Sequence, residues 1–283
     1  MAFNPMIGKL YLVSIPLGNM GDMTSRALDT LGSVDFVAVE DKRRSSILFR
    51  NFGIHTPMIS YHDFSEEKQI KKIIDLLLSG KSVALICDAG TPLISDPGFK
   101  LVKLAKSKEI KVSPIPGPCA LIAAISASGL PSDRFIFEGF LPSKSAARIE
   151  KIKRISKDSR TIIFYEAPHR IVGSLRDMLE IIGPTREIVL ARELTKTYET
   201  FFSGSIESTL QFVEQDLNQQ KGEMVLVLAG ADPEEKKDDT QDIQRVLSVL
   251  LEELPLKQAV SLGAKITGGQ KNILYKSALD LKK

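Results

Sequence analysis

A chain of 283 residues, 43% hydrophobic and 26% charged, has the make-up of a folded globular protein, long enough for two compact domains or one domain with an appendage. Two cysteines, Cys87 and Cys119, argue against a disulfide scaffold or a thiolate zinc site, and a net charge of +3 is too small to name a partner by itself. No apolar stretch is long enough to cross a bilayer and no signal-peptide pattern opens the chain, so a cytoplasmic protein without a membrane partner is expected.

Short apolar and β-branched runs then alternate with longer helix-period segments. The predicted strands are Leu10–Ile15, Phe36–Val39, Val83–Cys87, Val112–Ile115, Phe135–Phe137, Thr161–Tyr165, Ile188–Ala191 and Met224–Leu228. Between them, Glu66–Leu78 places Ile70, Ile73, Ile74, Leu77 and Leu78 on one helical face, and His169–Ile182 does the same with Ile171, Val172, Leu175, Met178 and Leu179. The alternation predicts an α/β protein, and unbroken apolar runs such as Val83–Cys87 predict strands covered on both faces.

The run Pro114-Ile115-Pro116-Gly117-Pro118 is expected to forbid a regular element, which sets a domain boundary: one α/β domain over 1–117 and a second over 118–231. Residues 232–242 are polar and charged and read as a linker. The remainder, 243–283, is helix only, with amphipathic segments Ile243–Leu254, Leu256–Ile266 and Lys271–Leu281 parted by Pro255 and Gly268-Gly269, a spacing that permits a helix-turn-helix. Residues 254–283 carry +5 and the rest of the chain −2. Such a basic tail suits a phosphate-bearing partner, although a solvated helical face gives the same count.

Ligands of open α/β sheets gather beyond the carboxyl ends of the strands, and three loops there are rich in glycine and proline: Pro16–Asp22, Asp88–Gly98 and Pro116–Pro118. Any one of them alone is an ordinary turn. Three together suggest a preformed pocket that offers main-chain groups, since glycine admits close approach and proline fixes the backbone. None has the spacing of a phosphate or dinucleotide cradle, so the expected ligand is held by backbone and apolar contacts, as a nucleoside bearing an amino-acid tail would be.

These loops, with Ala120–Gly129 and Gly222–Leu228, resemble the signature regions of the tetrapyrrole-type (class III) methyltransferases across residues 8–230. Within that class, Ala38-Val39-Glu40-Asp41, Tyr61-His62, Gly139–Pro142, Tyr165–Arg170 and Ala191–Lys196 are similar to the branch that 2′-O-methylates a cytidine of 16S ribosomal RNA. The tail segments Pro255–Val260 and Lys271–Tyr275 resemble that branch's helix-turn-helix. The resemblance implies two α/β domains of the tetrapyrrole methylase type with S-adenosylmethionine in the cleft between them. It implies contacts to that cofactor from Leu17, Gly90, Thr91, Ile94, Cys119, Ala120, Tyr165, Glu166, Leu194 and Met224. It also implies a homodimer and, as partner, 16S ribosomal RNA or the small ribosomal subunit.

A sulfonium methyl is already an activated electrophile, so placement of the 2′-oxygen should dominate and no metal ion is required. A ribose hydroxyl still gains from a base or a cation, and among Glu40, Asp41, Glu166, Arg192, Glu193 and Lys196 the preferred catalytic pair is Asp41 and Lys196. Arg43, Arg44, Lys144, Arg148, Arg170 and Arg192 are candidate RNA contacts, with Phe140 and Tyr61 as stacking surfaces; each could instead be a salt-bridge or core residue. The competing readings are a tetrapyrrole-precursor methyltransferase, a non-catalytic nucleic-acid-binding protein and a nicotinamide-dependent oxidoreductase.

Overall fold

A computed structural model describes residues 7–61, 66–232 and 240–281, which form two compact units: one of residues up to 152 together with 161–229, the other of 153–160 and 230 onward. Five strands, β1 (Lys9–Val13), β2 (Phe36–Val39), β3 (Met58–Ser60), β4 (Val83–Leu85) and β5 (Lys111–Ile115), make an all-parallel sheet in the order β3-β2-β4-β1-β5. The helices between them are α1 (Ser25–Ser33), α2 (Lys42–Phe52), α3 (Glu66–Leu78) and α4 (Phe99–Ser107).

Side chains of a strand alternate in direction, so each apolar run feeds two cores. Val13, Val37, Val39 and Ala84 pack with Ala27 and Leu31 of α1 and Leu48 and Phe49 of α2. Leu10, Ala38, Val83 and Leu85 pack on the other face with Ile70, Ile73 and Leu77 of α3 and Leu101 and Ala105 of α4. Tyr61 is 1% exposed in this second core, which corrects its expected role as a stacking surface. His62 lies outside the described residues.

After α5 (Ala120–Ser128), the second sheet contains β6 (Phe135–Phe140), β7 (Thr161–Glu166), β8 (Glu187–Arg192), β9 (Thr200–Ser205) and β10 (Met224–Leu228) in the order β6-β7-β10-β8-β9. It is parallel only between β6 and β7. Leu121, Ala124 and Ile125 of α5 cover one face, against Ile163, Val189, Ala191, Val225 and Val227. The remaining helices of this half are α6 (Ser145–Ile155), α7 (Ile171–Ile182) and α8 (Ile206–Gln215). Two strands escaped the sequence reading: β3, only three residues long, and β9, whose Thr-Phe-Phe-Ser-Gly-Ser mixes polar residues and glycine. Both lie at sheet edges, where an apolar run is not required. The expectation that Pro114 forbids a regular element is corrected as well, because Pro114 sits within β5 opposite Leu12. β5 is also an edge strand, so a proline can present its missing N–H to the unpaired side.

The tail helices α9 (Thr240–Glu253), α10 (Leu256–Thr267) and α11 (Lys271–Asp280) enclose their own small core of Ile243, Leu247, Val260, Leu274 and Ala278. α10 comes close to its neighbours at Gly263, where a Cβ would stand 3.1 Å from a Leu274 methyl and 3.2 Å from one of Leu247. Gly268, at φ 71°, ends α10 in the left-handed conformation. Lys257, Lys265, Lys271 and Lys276 are all exposed. No helix among the described residues is long and apolar enough to cross a membrane.

Candidate functional site

Adjacent strands β1 and β4 send their chains to opposite faces of the first sheet, β1 to α1 and β4 to α4. Loops that diverge in this way leave a crevice at the carboxyl ends of the strands. Its walls are pinned together: Ile15 and Gly90 exchange both backbone hydrogen bonds (2.9 and 3.0 Å), and the Thr91 hydroxyl donates to Pro118 O at 2.9 Å. Thr91 has a single hydroxyl proton, so Ser14 Oγ must be the donor in the 2.9 Å contact between the two hydroxyls. The three glycine- and proline-rich loops are thus one hydrogen-bonded frame.

Beyond that frame lies a cavity of about 440 Å³. All ten positions expected to hold the cofactor line it: Leu17, Gly90, Thr91 and Ile94 from the first half, Cys119 and Ala120 at the start of α5, and Tyr165, Glu166, Leu194 and Met224 from the second. Met224 reaches it because β10 runs antiparallel to both neighbours, pairing Met224 with Glu166 and Arg192 and bringing its amino end to their carboxyl ends. Gly90 has φ 76°, and a Cβ there would lie 3.0 Å from Leu17 Cδ2 and 3.7 Å from Pro118 O, so the bare backbone faces the cavity. The Tyr165 hydroxyl accepts from Leu121 N at 3.2 Å, and burial pushes its pKa above the ordinary phenol range. Cys87 is likewise raised by burial and is inert behind the loop.

Glu166 is the most completely satisfied carboxylate here. It accepts from Arg170 Nε (2.9 Å), Ser174 Oγ (2.5 Å) and Ala167 N (2.7 Å), with its side chain wholly buried. It therefore supports the cavity wall and is no candidate base. Asp41 caps α2 by accepting from Arg43 N at 2.7 Å, and its own N–H donates to Asp88 Oδ1 at 3.3 Å. Asp41 stands beside the lining residue Glu40 and is not itself in the lining.

Lys196 also stands at the rim, its stem across Gly18, where a Cβ would meet Lys196 Cγ at 2.5 Å. Its Nζ donates to Glu193 Oε1 (2.9 Å) and Glu223 Oε2 (3.1 Å), and Glu223 lines the cavity. Burial alone would lower its pKa, but hydrogen bonds to the two carboxylates outweigh it and raise the value. For Glu193, burial is outweighed by the hydrogen bonds from Lys196 and from Glu223 N, which lower it. Lys196 is thus a held cation, and it cannot act as a base. Among the described residues, four of the five non-glycine residues with positive φ are in the two loops bordering the cavity: Leu93 and Ser95, Glu193 and Thr195. Such strain, costing on the order of 1–3 kcal/mol per residue, gathers where a backbone is held for a purpose.

The expected RNA contacts divide. Arg43, Arg44 and Lys144 are exposed. Arg148 and Arg192 are 6% and 7% exposed, which corrects their reading as phosphate contacts. Arg148 pairs with Asp177 at 2.6 Å, and Arg192 bonds Lys221 O, Tyr198 O and Thr200 Oγ1. The guanidinium of Arg170 is engaged by Glu166 and Leu141 O, so it too works inward. Phe140, 52% exposed, lines the cavity and meets Tyr165 edge-on at 5.7 Å. The sequence reading missed Asp88 and Asp96, the acidic residues of the second loop, both in the lining. Acidic side chains in a turn carry no signal that separates them from ordinary turn residues. Among the described residues no three His, Cys, Asp or Glu side chains are grouped to hold a metal ion.

Residues 9–209 match the family of tetrapyrrole (corrin/porphyrin) methylases, and residues 237–282 match the RsmI C-terminal HTH domain. Ribosomal RNA small subunit methyltransferase I of Vibrio cholerae serotype O1 is 51% identical over 271 residues, covering 96% of this chain and 94% of that protein. Its namesake in Pseudomonas aeruginosa is 51% identical over 273 residues, covering 96% and 97%. Among solved structures, the methyltransferase CobJ aligns with a TM-score of 0.60 at 15% identity, over 79% of this chain and 95% of that one. Uroporphyrin-III C-methyltransferase of Thermus thermophilus, complexed with S-adenosylhomocysteine, aligns with a TM-score of 0.54 at 16% identity, over 78% and 97%. At such identities the likeness is one of fold.

Proposed function

We infer the function from one premise: the chain belongs to the tetrapyrrole (corrin/porphyrin) methylase family, in the branch of ribosomal RNA small subunit methyltransferase I. It is an S-adenosylmethionine-dependent ribosomal RNA methyltransferase, and the acceptor we propose is the ribose 2′-hydroxyl of a cytidine in 16S ribosomal RNA. The observation that carries this reading is one cavity lined by all ten cofactor positions, with the Gly90 backbone, at φ 76°, in its wall. Main-chain groups of the Gly90 loop would hold the polar parts of the cofactor, and Leu17, Ile94, Leu194 and Met224 would exclude water.

When bound, the cofactor supplies an electrophilic methyl group. The chain's own work is then to orient a hydroxyl and manage its proton. We assign Lys196, kept charged by Glu193 and Glu223, to stabilising negative charge that develops on the acceptor oxygen, and Asp41 to receiving its proton. Calorimetry should show S-adenosylhomocysteine binding in the presence of EDTA and no binding of NAD. Loss of binding with EDTA would contradict the metal-free reading, and NAD binding would favour an oxidoreductase.

We further propose that residues 243–283 form an RNA-binding domain beyond a 232–242 linker, that 1–117 and 118–231 are the two α/β domains, and that the enzyme is a cytoplasmic homodimer acting on the small ribosomal subunit. Each phosphate neutralised by a tail lysine releases condensed counterions. Deleting the chain from Pro255 onward should weaken RNA binding and flatten its log–log salt dependence by a few units of slope, with cofactor affinity unchanged. That cut leaves Ile243 and Leu247 of α9 without their core partners Val260, Leu274 and Ala278, so a second truncation that removes residues 240–283, and with them the whole tail core, serves as the folding control. A soluble, cofactor-binding truncation with the full salt slope would exclude the tail from RNA binding.

A further inference from the structure

Beside the cofactor cavity is a second hollow, of about 190 Å³, that the chemistry above leaves unused. One wall is the loop after β1, at Pro16 and Met20; the other is α2, whose Arg44, Ile47 and Leu48 are spaced as neighbours on one helical face. Leu17, Arg44 and Asp88 line both spaces, so the two meet at those residues. Met20 and Ile47 are 38% and 57% exposed, two large apolar side chains held in water around a charged pair. Arg44 Nη1 donates to Asp88 Oδ2 at 2.9 Å, while Nε and Nη2 of Arg44 have no partner among the described residues.

We propose that this hollow seats the target nucleobase, with Met20 and Ile47 against its faces and the Arg44–Asp88 pair reading its hydrogen-bonding edge. The inference rests on the RNA reading and adds the recognition of the base to it. The base is attached to the ribose that is methylated, so it must lie within one nucleoside of the cofactor cavity, and the shared wall provides that. A nucleotide drawn out of its stack needs apolar surfaces to replace its neighbours.

The pair also selects the base. A carboxylate only accepts and a guanidinium only donates, so together they fit an edge on which an amine stands beside acceptors. Cytosine offers its N4 amine next to N3 and O2. Uracil offers O4 and N3–H in those places, which sets acceptor against acceptor and donor against donor. Adenine also sets an amine beside an acceptor, so what the pair separates is cytosine from uracil. Arg44 accordingly moves from a phosphate contact to a base contact.

The test is methyl transfer to small-subunit RNA carrying cytidine or uridine at the target position, for wild type, Asp88→Asn, Arg44→Gln and Ile47→Ser, with S-adenosylhomocysteine affinity measured for each. The wild type should prefer cytidine. Asp88→Asn and Arg44→Gln should each erode that preference about tenfold or more, the scale of a lost bidentate base contact. Arg44→Gln should leave the salt slope of RNA binding unchanged, which loss of a phosphate contact would not. Ile47→Ser should raise KM for RNA several-fold at unchanged cofactor affinity. If Asp88→Asn loses cofactor affinity through the larger cavity, Arg44→Gln decides. Undiminished cytidine preference in Arg44→Gln, or an unchanged KM in Ile47→Ser, overturns the base site alone. A wild type that methylates no RNA overturns the RNA reading and the base site with it.

Discussion

Gly90→Val is expected to abolish measurable binding of S-adenosylhomocysteine while leaving the far-ultraviolet circular dichroism close to that of wild type. Gly90 has φ 76°, a conformation that a β-branched residue adopts only under strain. The first added carbon would already stand 3.0 Å from Leu17 Cδ2, and both γ-methyls extend further into the space between Leu17 and Pro118. Its N–H and C=O are both committed to Ile15, so the backbone cannot swing away without breaking the frame between the first two loops. The sheet cores lie on other residues, and the secondary structure should persist. Gly90→Ala should be milder, because the nearest atom is the mobile end of a leucine. Wild-type affinity in Gly90→Val would mean that the cofactor binds elsewhere.

The largest loss of stability is expected at Asp177. Its carboxylate accepts from Arg148 Nε at 2.6 Å and from Ser145 Oγ at 3.0 Å, tying α7 to α6. The two side chains of the ion pair are only 13% and 7% exposed. Asp177→Ala leaves a guanidinium buried with no counter-charge, a change that costs about 3–5 kcal/mol. Replacing both members, Arg148→Met with Asp177→Leu, removes the stranded charge and should recover most of the loss. Urea unfolding of the single and double variants checks this. A single variant within about 1 kcal/mol of wild type, the scale of an exposed pair, would show that the pair is not buried in solution.

The correction of Arg148 also marks where the sequence stops being informative. The chain shows a basic residue opening a helix, but its partner Asp177 is 29 positions away, and Arg192 is anchored to Lys221 O over the same separation. Nothing local distinguishes either from an exposed phosphate contact. Phe36–Val39 and Met224–Leu228, by contrast, are legible at both ends because every residue of those central strands is apolar. The edge strands β3 and β9, under no such demand, left little pattern. The loops around the cavity could be read because glycines and prolines announce a fixed backbone, and Leu17, Gly90, Thr91 and Ile94 lie in them; the other six cofactor positions, from Cys119 to Met224, followed only from the family resemblance. The charged rim was only half legible: Glu193 and Lys196 stand together in sequence, but Glu223, which completes their network, comes from the far side of β9 and α8.

Transfer of a methyl group to a ribose of the small-subunit RNA, the reaction proposed for this chain, can be read directly. The direct measurement supplies the protein with S-adenosylmethionine labelled in its methyl group and small ribosomal subunits that lack the modification, then digests the RNA to nucleosides and separates them. Label in 2′-O-methylcytidine is the predicted result. Label in a base-methylated nucleoside, or none in RNA from a protein that binds S-adenosylhomocysteine, would contradict the account.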